Sequence, residues 1–348
     1  MPQRPDASKP CLCFLLPDGS EHLSGGNLYN QALARTLASQ TQLECASIQT
    51  LESRLLAGTP GVYLIDTLDL ARAPALSRRA PGQYFGLLVH HLPSLEPCSG
   101  GASDEELARE SAALSMFDFL IATSHFTRTL LLSRGYQSER VLTVRPGLAE
   151  SLRCRPLRGS SRQLHALVVG NLIPRKGVVE WLGALSTRLQ TDDDFRLSFA
   201  GRDDLDVSYA VACKAFVARH PQISQRVSFL GAVPHPHMAA LLGAASLLVS
   251  PSNMETFGIA LQEARALGVP ILALDRGNAR EHVAHDMNGL LCSSHDELAS
   301  EFLALTRAPD RLAAFSARAQ AAAMVGEDWP SVARRFLLDL ESLASTWR

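Results

Sequence analysis

The sequence predicts an α/β protein built as two parallel-sheet domains. Three observations carry that expectation. Short apolar runs alternate with helical patterns along the whole chain, the signature of strands joined by crossover helices. The second half repeats the scheme of the first. Residues 146–163, PGLAESLRCRPLRGSSRQ, are polar and arginine-rich and carry Pro, Gly and Ser, so they read as the break between the halves. At 348 residues the chain is long for one domain and two is the natural expectation. The expected bounds are 1–150 for the first domain, 151–163 for the linker, 164–328 for the second domain and 329–348 for a terminal helix.

The first half supplies apolar runs at Cys11–Leu16, Val62–Ile65, Phe85–Val89, Phe119–Ala122 and Val141–Val144. Such runs, four to six residues long and bounded by turn residues, fit strands buried on both faces. Helical periodicity fills Asn27–Ser39 and Glu105–Met116. In the second half, strands are expected at His165–Val169, Arg196–Ala200, Val227–Leu230, Leu247–Ser250 and Ile271–Ala273. Helices are expected at Val178–Leu189, Tyr209–Arg219 and His237–Ala244. The last segment, Trp329–Leu343, places Val332, Phe336, Leu337, Leu340 and Leu343 on one helical face.

Apolar residues make up 46 % of the chain and charged residues 20 %, ordinary for a soluble enzyme. The net charge of −2 gives no electrostatic case for a nucleic-acid partner. Seven cysteines without C-x-x-C pairing read as reduced thiols rather than metal ligands. No run approaches the roughly 18 apolar residues that cross a bilayer. Cys11–Leu16 is too short for a signal-peptide core, so a cytoplasmic protein is expected.

Four segments could carry chemistry. In SPSNMETFGIALQEARALGVP (250–270), Glu255 falls in a loop after an apolar strand. Glu263, eight positions on, falls on the helix that follows. Loops at the carboxyl edge of an open α/β sheet are where ligands bind, and carboxylates there suit paired hydroxyls. In VVGNLIPRKG (168–177), Arg175 and Lys176 precede a helix N-terminus, which itself favours anions. That loop reads either as a diphosphate clamp or as a solvated basic turn. Gly25 and Gly26 open the helix after the first strand and allow close backbone approach. His90 directly follows the apolar run of 85–89, with His91 as the alternative. Glu281, in DRGNAREHV (275–283), reads as architecture.

Taken together in order and spacing, these segments resemble the retaining nucleotide-sugar glycosyltransferases of the GT-B fold, family 4. The E-x7-E block, the glycine pair, the histidine, Ser124-His-Phe-Thr, Val144-Arg-Pro-Gly, Phe229-Leu-Gly and Asn288-Gly-Leu all have counterparts there. The resemblance implies two Rossmann-like domains facing across a cleft, with the last helix crossing back to the first. It implies a nucleotide diphosphate-sugar donor, UDP by family prevalence, with GDP open. Glu263 would hold the ribose hydroxyls and Glu255 the sugar hydroxyls. The backbone around Thr256, Phe257 and Gly258 would approach the diphosphate, and Gly25 and Gly26 would line the donor site. Lys176, with Arg175, would stabilise the leaving diphosphate, and His90 would orient the sugar. The family carries G-R-x-x-x-x-K-G where this chain has Asn171 in place of the arginine.

The implied chemistry is same-face transfer with retention of configuration, without an enzyme nucleophile and without an essential metal or cofactor. The acceptor would be a small molecule, a glycan or a lipid. Its contacts would come from loops 24–29, 67–83 and 91–103. Arg72, Arg78 and Arg79 in the second loop fit either a solvated surface or an anionic or membrane-facing patch. Competing readings are an epimerase or phosphorylase on the same scaffold, or a binding protein. An epimerase would need further carboxylates, a phosphorylase a longer chain, and a neutral-sugar receptor would not need the Lys176 loop.

Overall fold

The computed structural model describes residues 11–19, 24–96, 101–152, 163–323 and 326–347. The chain forms two compact α/β units. One holds the first strand, Gly26–Gly147 and the final segment from Trp329, and the other holds Leu148–Asp328. Most of the expected linker, residues 153–162, lies outside the described residues.

The first unit has a six-stranded parallel sheet. Its strands are β1 (Leu12–Leu16), β2 (Leu43–Ser47), β3 (Gly61–Asp66), β4 (Gln83–Val89), β5 (Phe119–Ala122) and β6 (Val141–Thr143). The spatial order is β2-β1-β3-β4-β5-β6. Both faces are covered, so successive residues enter different cores. Leu12 and Phe14 pack on one side, Cys13 and Leu15 on the other. That is why these strands read as continuous apolar runs.

The second unit repeats the plan with β7 (Leu164–Val169), β8 (Phe195–Ala200), β9 (Val227–Gly231), β10 (Leu247–Ser250), β11 (Ile271–Leu274) and β12 (Gly289–Cys292). Its order is β12-β11-β10-β7-β8-β9. Val168, Phe199 and Val249 face one core, Leu167, Leu248 and Ala273 the other.

The expected elements are all present, with ends shifted by up to three residues. The helix expected at His237–Ala244 starts at His235, and that expected at Val178–Leu189 stops at Ser186. Two strands go beyond the expectation, β2 and β12, one in each unit. β2 (LECAS) is a half-exposed edge in which only Leu43 and Ala46 are partly covered, so it offers no apolar run.

The final helix, Trp329–Ala344, belongs to the first unit. Val332, Phe336, Leu340 and Leu343 join a core with Leu12, Phe14, Leu33, Phe119 and Ile121. Trp347 stacks on Tyr84 with ring centres 4.0 Å apart, and the Tyr84 hydroxyl donates to the Trp347 carbonyl at 2.9 Å. Trp329 meets Tyr29 edge-on at 5.3 Å. Thus the chain ends back on its first sheet.

Loop 67–83 is largely a run of 3-10 turns, Thr67–Arg78. Its arginines are ion-paired: Arg72 to Asp69 at 3.1 Å, Arg78 to Glu52 at 2.5 Å and Arg79 to Asp118 at 3.2 Å. Cys13, Cys213 and Cys292 are buried free thiols, and burial pushes each up to about 12. Among the described residues no helix is long and apolar enough to cross a membrane.

Candidate functional site

In the second unit the chain runs β7, β8, β9 to one side and then returns to place β10 on the other side of β7. The strand order therefore reverses between β7 and β10. Ligands of open α/β sheets bind at the carboxyl ends of such a pair, because the two outgoing loops diverge there. The loops in question are 170–177 after β7 and 251–258 after β10. Two of the sequence-predicted segments thus meet at one place.

Lys176 Nζ lies 2.5 Å from Glu255 Oε1, and both side chains are largely buried. Burial alone would raise the Glu255 carboxyl. The Lys176 and then the Arg175 charges outweigh it and hold the carboxyl below its ordinary range. For Lys176 the balance is different. Burial holds the ammonium below the usual lysine value, Glu255 opposes, and the neighbouring Arg175 charge adds to the depression. Glu255 gains from two cations, whereas Lys176 has one carboxylate and one like charge.

Backbone contacts hold the two loops together. Arg175 donates from Nη1 to the Met254 carbonyl at 3.1 Å, and the Asn253 amide donates to the Arg175 carbonyl at 2.9 Å. Gly177 turns with φ +61, and a Cβ there would stand 2.2 Å from the Pro251 oxygen. Only glycine fits both demands.

The loop after β11 braces Glu255 from its other side. The Asn278 amide donates to the Glu255 carbonyl at 2.7 Å, while Asn278 Nδ2 donates to the Phe257 carbonyl at 3.0 Å. His282 Nε2 lies 2.7 Å from that same carbonyl, and its ring meets Phe257 edge-on at 4.9 Å. Gly277, at φ +58, leaves room for the Glu255 oxygen, which a Cβ would approach to 2.1 Å. Thr256 is partly exposed between them, and Gly258 opens the helix Ile259–Ala266.

Glu263, one turn into that helix, is buried. Its Oε1 lies 2.7 Å from Nε2 of His235, the first residue of the helix His235–Ala244. The bond to Glu263 raises the His235 pKa above its usual value, with burial opposing.

Asn171 sits where the resemblance places an arginine. Its Oδ1 accepts from the Arg202 amide at 3.0 Å, tying the end of β7 to the end of β8. Arg202 in turn pairs with Asp204 through two contacts of 2.8 Å.

His90 lies in the first unit, just past β4. Its Nε2 is 2.8 Å from Asn30 Oδ1 and 3.4 Å from Asp66 Oδ2. Gly26 is next to it: a Cβ added there would stand 3.5 Å from the ring, an ordinary contact. Gly25 precedes it as the first residue of the helix Gly25–Ala38. His91 lies apart from this cluster, with its Nε2 2.9 Å from Glu96.

Residues 158–322 match the family described as Glycosyl transferases group 1. That stretch, which lies mostly in the second unit, belongs to this family. Among its relatives is the D-inositol 3-phosphate glycosyltransferase 1 of Catenulispora acidiphila, 30 % identical over 68 % of this chain and 60 % of that one. The glycogen synthase of Mycobacterium tuberculosis is 30 % identical over 51 % of this chain and 42 % of its own. The matches thus span less than two thirds of these relatives' length. Among solved structures, the sucrose-phosphate synthase of Thermosynechococcus elongatus superposes with a TM-score of 0.78 at 17 % identity, covering 97 % of this chain and 100 % of that one. Anabaena HepE in complex with UDP and glucose gives 0.75 at 19 % identity, over 96 % of this chain and 100 % of that one. At such identities the likeness establishes the GT-B fold of the chain.

Sequence reasoning missed several residues of the two clusters. Asn278 and His282 carry no motif of their own, and their signal is the turn DRGN before a short helical stretch. His235 lies at the edge of a helix whose start was expected two residues later. Asp66 ends a fully apolar strand and Asn30 lies on a helix, so neither stands out without the fold.

Proposed function

We propose that this chain transfers a sugar from a nucleotide diphosphate-sugar, UDP-linked, to a hydroxyl acceptor with retention of configuration, as a family 4 enzyme. The observation that carries the reading is the Lys176–Glu255 pair at the strand-order reversal of the second unit, with Glu263 one helix turn beyond. UDP is supported by the HepE complex, whose fold this chain shares.

Glu263 accepts both ribose hydroxyls in this reading. A buried carboxylate discriminates for a diol because leaving it unpaired is costly. Glu255 holds Lys176 charged in the absence of ligand. When the diphosphate arrives, Lys176 serves it, and Glu255 is released toward the sugar hydroxyls. Thr256, Phe257 and Gly258 present backbone to the diphosphate, which Arg175 assists by charge. Gly25 and Gly26 let the backbone come close to the donor.

In the transfer itself the acceptor oxygen bonds to the anomeric carbon on the face that the phosphate leaves. The carbon–oxygen bond to the diphosphate breaks. The acceptor proton passes to the departing phosphate oxygen, so no enzyme base or nucleophile is consumed. Lys176 and Arg175 stabilise the charge that grows on the diphosphate, the kind of interaction that usually lowers the barrier most. His90 orients the sugar. The chain's own residues supply each of these roles, and the reading calls on no metal.

Calorimetry against UDP, GDP and ADP tests the reading. Micromolar binding of UDP that disappears in Glu263→Ala is expected. A folded protein that binds none of the three nucleotides overturns it.

A further inference from the structure

The first unit has a strand-order reversal of its own. The chain places β2 on one side of β1 and β3 on the other. A ligand position is therefore expected at the carboxyl ends of β1 and β3. Three polar groups converge there from three elements. Asn30 comes from the helix after β1, Asp66 ends β3, and His90 follows β4. Asn30 and Asp66 are both 0 % exposed.

The hydrogen bonds fix the direction of this chain of groups. Asp66 Oδ1 accepts from the Leu68 amide at 2.8 Å, and Oδ2 accepts from Asn30 Nδ2 at 2.5 Å. An ionised carboxylate has nothing to donate, so Asn30 must turn its amide nitrogen to Asp66 and its oxygen to His90. Nε2 of His90 then faces two acceptors, Asn30 Oδ1 and Asp66 Oδ2. That nitrogen must carry the proton. Burial disfavours a second proton on the ring, with the Asp66 charge opposing, and the net pKa lies below the usual histidine value. Among the described residues, no group hydrogen-bonds Nδ1.

We propose that Asp66 and Asn30 are positioning residues that lock His90 as the neutral, Nε2-protonated tautomer. Nδ1 thereby becomes the hydrogen-bond acceptor of a hydroxyl-binding site at the carboxyl edge of the first sheet. The tautomer stands on the geometry of the first unit alone. Use of the Nδ1 lone pair on a sugar hydroxyl rests on the transferase reading above.

Long-range nitrogen–proton NMR of the labelled full chain reads which ring nitrogen is protonated, with His90→Gln to assign the signals. A single Nε2-protonated form at pH 7 is expected, titrating below the ordinary histidine value. Asp66→Asn should reverse it. The Leu68 amide keeps an oxygen at the Oδ1 position, so the new amide nitrogen replaces Oδ2 and donates to Asn30. Asn30 must then flip its nitrogen toward His90, which moves the ring proton to Nδ1. An Nδ1-protonated ring or an imidazolium in the unmodified protein at pH 7 overturns the relay. So does an unchanged tautomer in folded Asp66→Asn. If that variant does not fold, the unmodified protein's tautomer and titration still decide.

For the acceptor role the probe is UDP-glucose. It should shift the Nδ1 resonance, whereas UDP alone should not. Calorimetric binding of UDP-glucose without that shift overturns the hydroxyl contact and leaves the donor reading standing. Absence of any nucleotide binding removes the donor reading and the hydroxyl contact with it, while the tautomer result remains.

Discussion

At the residue scale, the Lys176–Glu255 pair bears on the pH dependence of the proposed diphosphate binding. Glu255 is the group that raises the lysine's pKa, against burial and Arg175, which both lower it. Glu255→Gln removes the raising influence alone. The ammonium should then lose its proton at lower pH than in the unmodified protein. We expect UDP affinity in Glu255→Gln to fall off earlier than in the unmodified protein as pH is raised, as measured by calorimetry at stepwise higher pH. An unchanged upper limit would mean that Lys176 does not meet the diphosphate. Gly177 gives a structural counterpart. Alanine there adopts a left-handed φ of +61 and meets the Pro251 oxygen at 2.2 Å. A loss of about 1–3 kcal/mol in denaturant unfolding is expected, together with weaker UDP binding as the two loops separate. Gly26→Ala should behave differently. Its Cβ meets His90 at an ordinary 3.5 Å, so stability should stay within about 0.5 kcal/mol. A fall in transfer by that variant would then report crowding of a ligand rather than of the protein.

At the element scale, the helix His235–Ala244 is joined to the helix Ile259–Ala266 through His235 and Glu263. His235 has a folded-state pKa raised above its unfolded value of about 6.5. The stabilisation is therefore complete below the unfolded value and is lost as pH rises through the raised one. His235→Gln should be less stable than the unmodified protein in mildly acidic solution, and the difference should shrink above neutrality. Denaturation midpoints of the two proteins across that range check the sign. The final helix allows a larger test. Phe336 is almost fully buried in the core shared with β1 and β5. Phe336→Ala should cost about 3–5 kcal/mol, and it should destabilise the first unit. How far these elements could be read from sequence depended on what each buries. β3, β4 and β10 are covered on both faces and announce themselves as apolar runs. β2 carries Glu44 in a half-exposed edge, and β12 opens on Gly289 straight after the turn at 286–288, so it merges with that turn in the sequence. The E-x7-E spacing and Lys176 were legible because loop and helix fix their distance locally. The bracing by Asn278 and His282 was not, since it depends on which strands lie side by side.

At the scale of the whole molecule, the same plan is used twice with different polar groups at the reversal point. In the second unit the reversal between β7 and β10 gathers Arg175, Lys176, Glu255 and Glu263, groups suited to a diphosphate and a diol. In the first unit the reversal between β1 and β3 gathers Asn30, Asp66 and His90, a relay that ends in an imidazole and suits hydroxyls. Asn171 fits this division. Its oxygen accepts from the Arg202 amide and so joins β7 to β8, and the cations of the proposed site are then Arg175 and Lys176. The division predicts separable losses. Glu263→Ala should abolish UDP binding, because the carboxylate proposed to hold the ribose is gone. His90→Ala should leave UDP affinity within about twofold, which is under 0.5 kcal/mol, because UDP has no sugar for the histidine to meet. The same variant should lower turnover of UDP-glucose, measured as release of UDP, by about tenfold or more, the scale of one lost hydrogen bond to a transferred group. If His90→Ala weakens UDP as strongly as Glu263→Ala does, the two reversal points do not divide the substrate in this way. The histidine would then have to be assigned to the nucleotide rather than to the sugar.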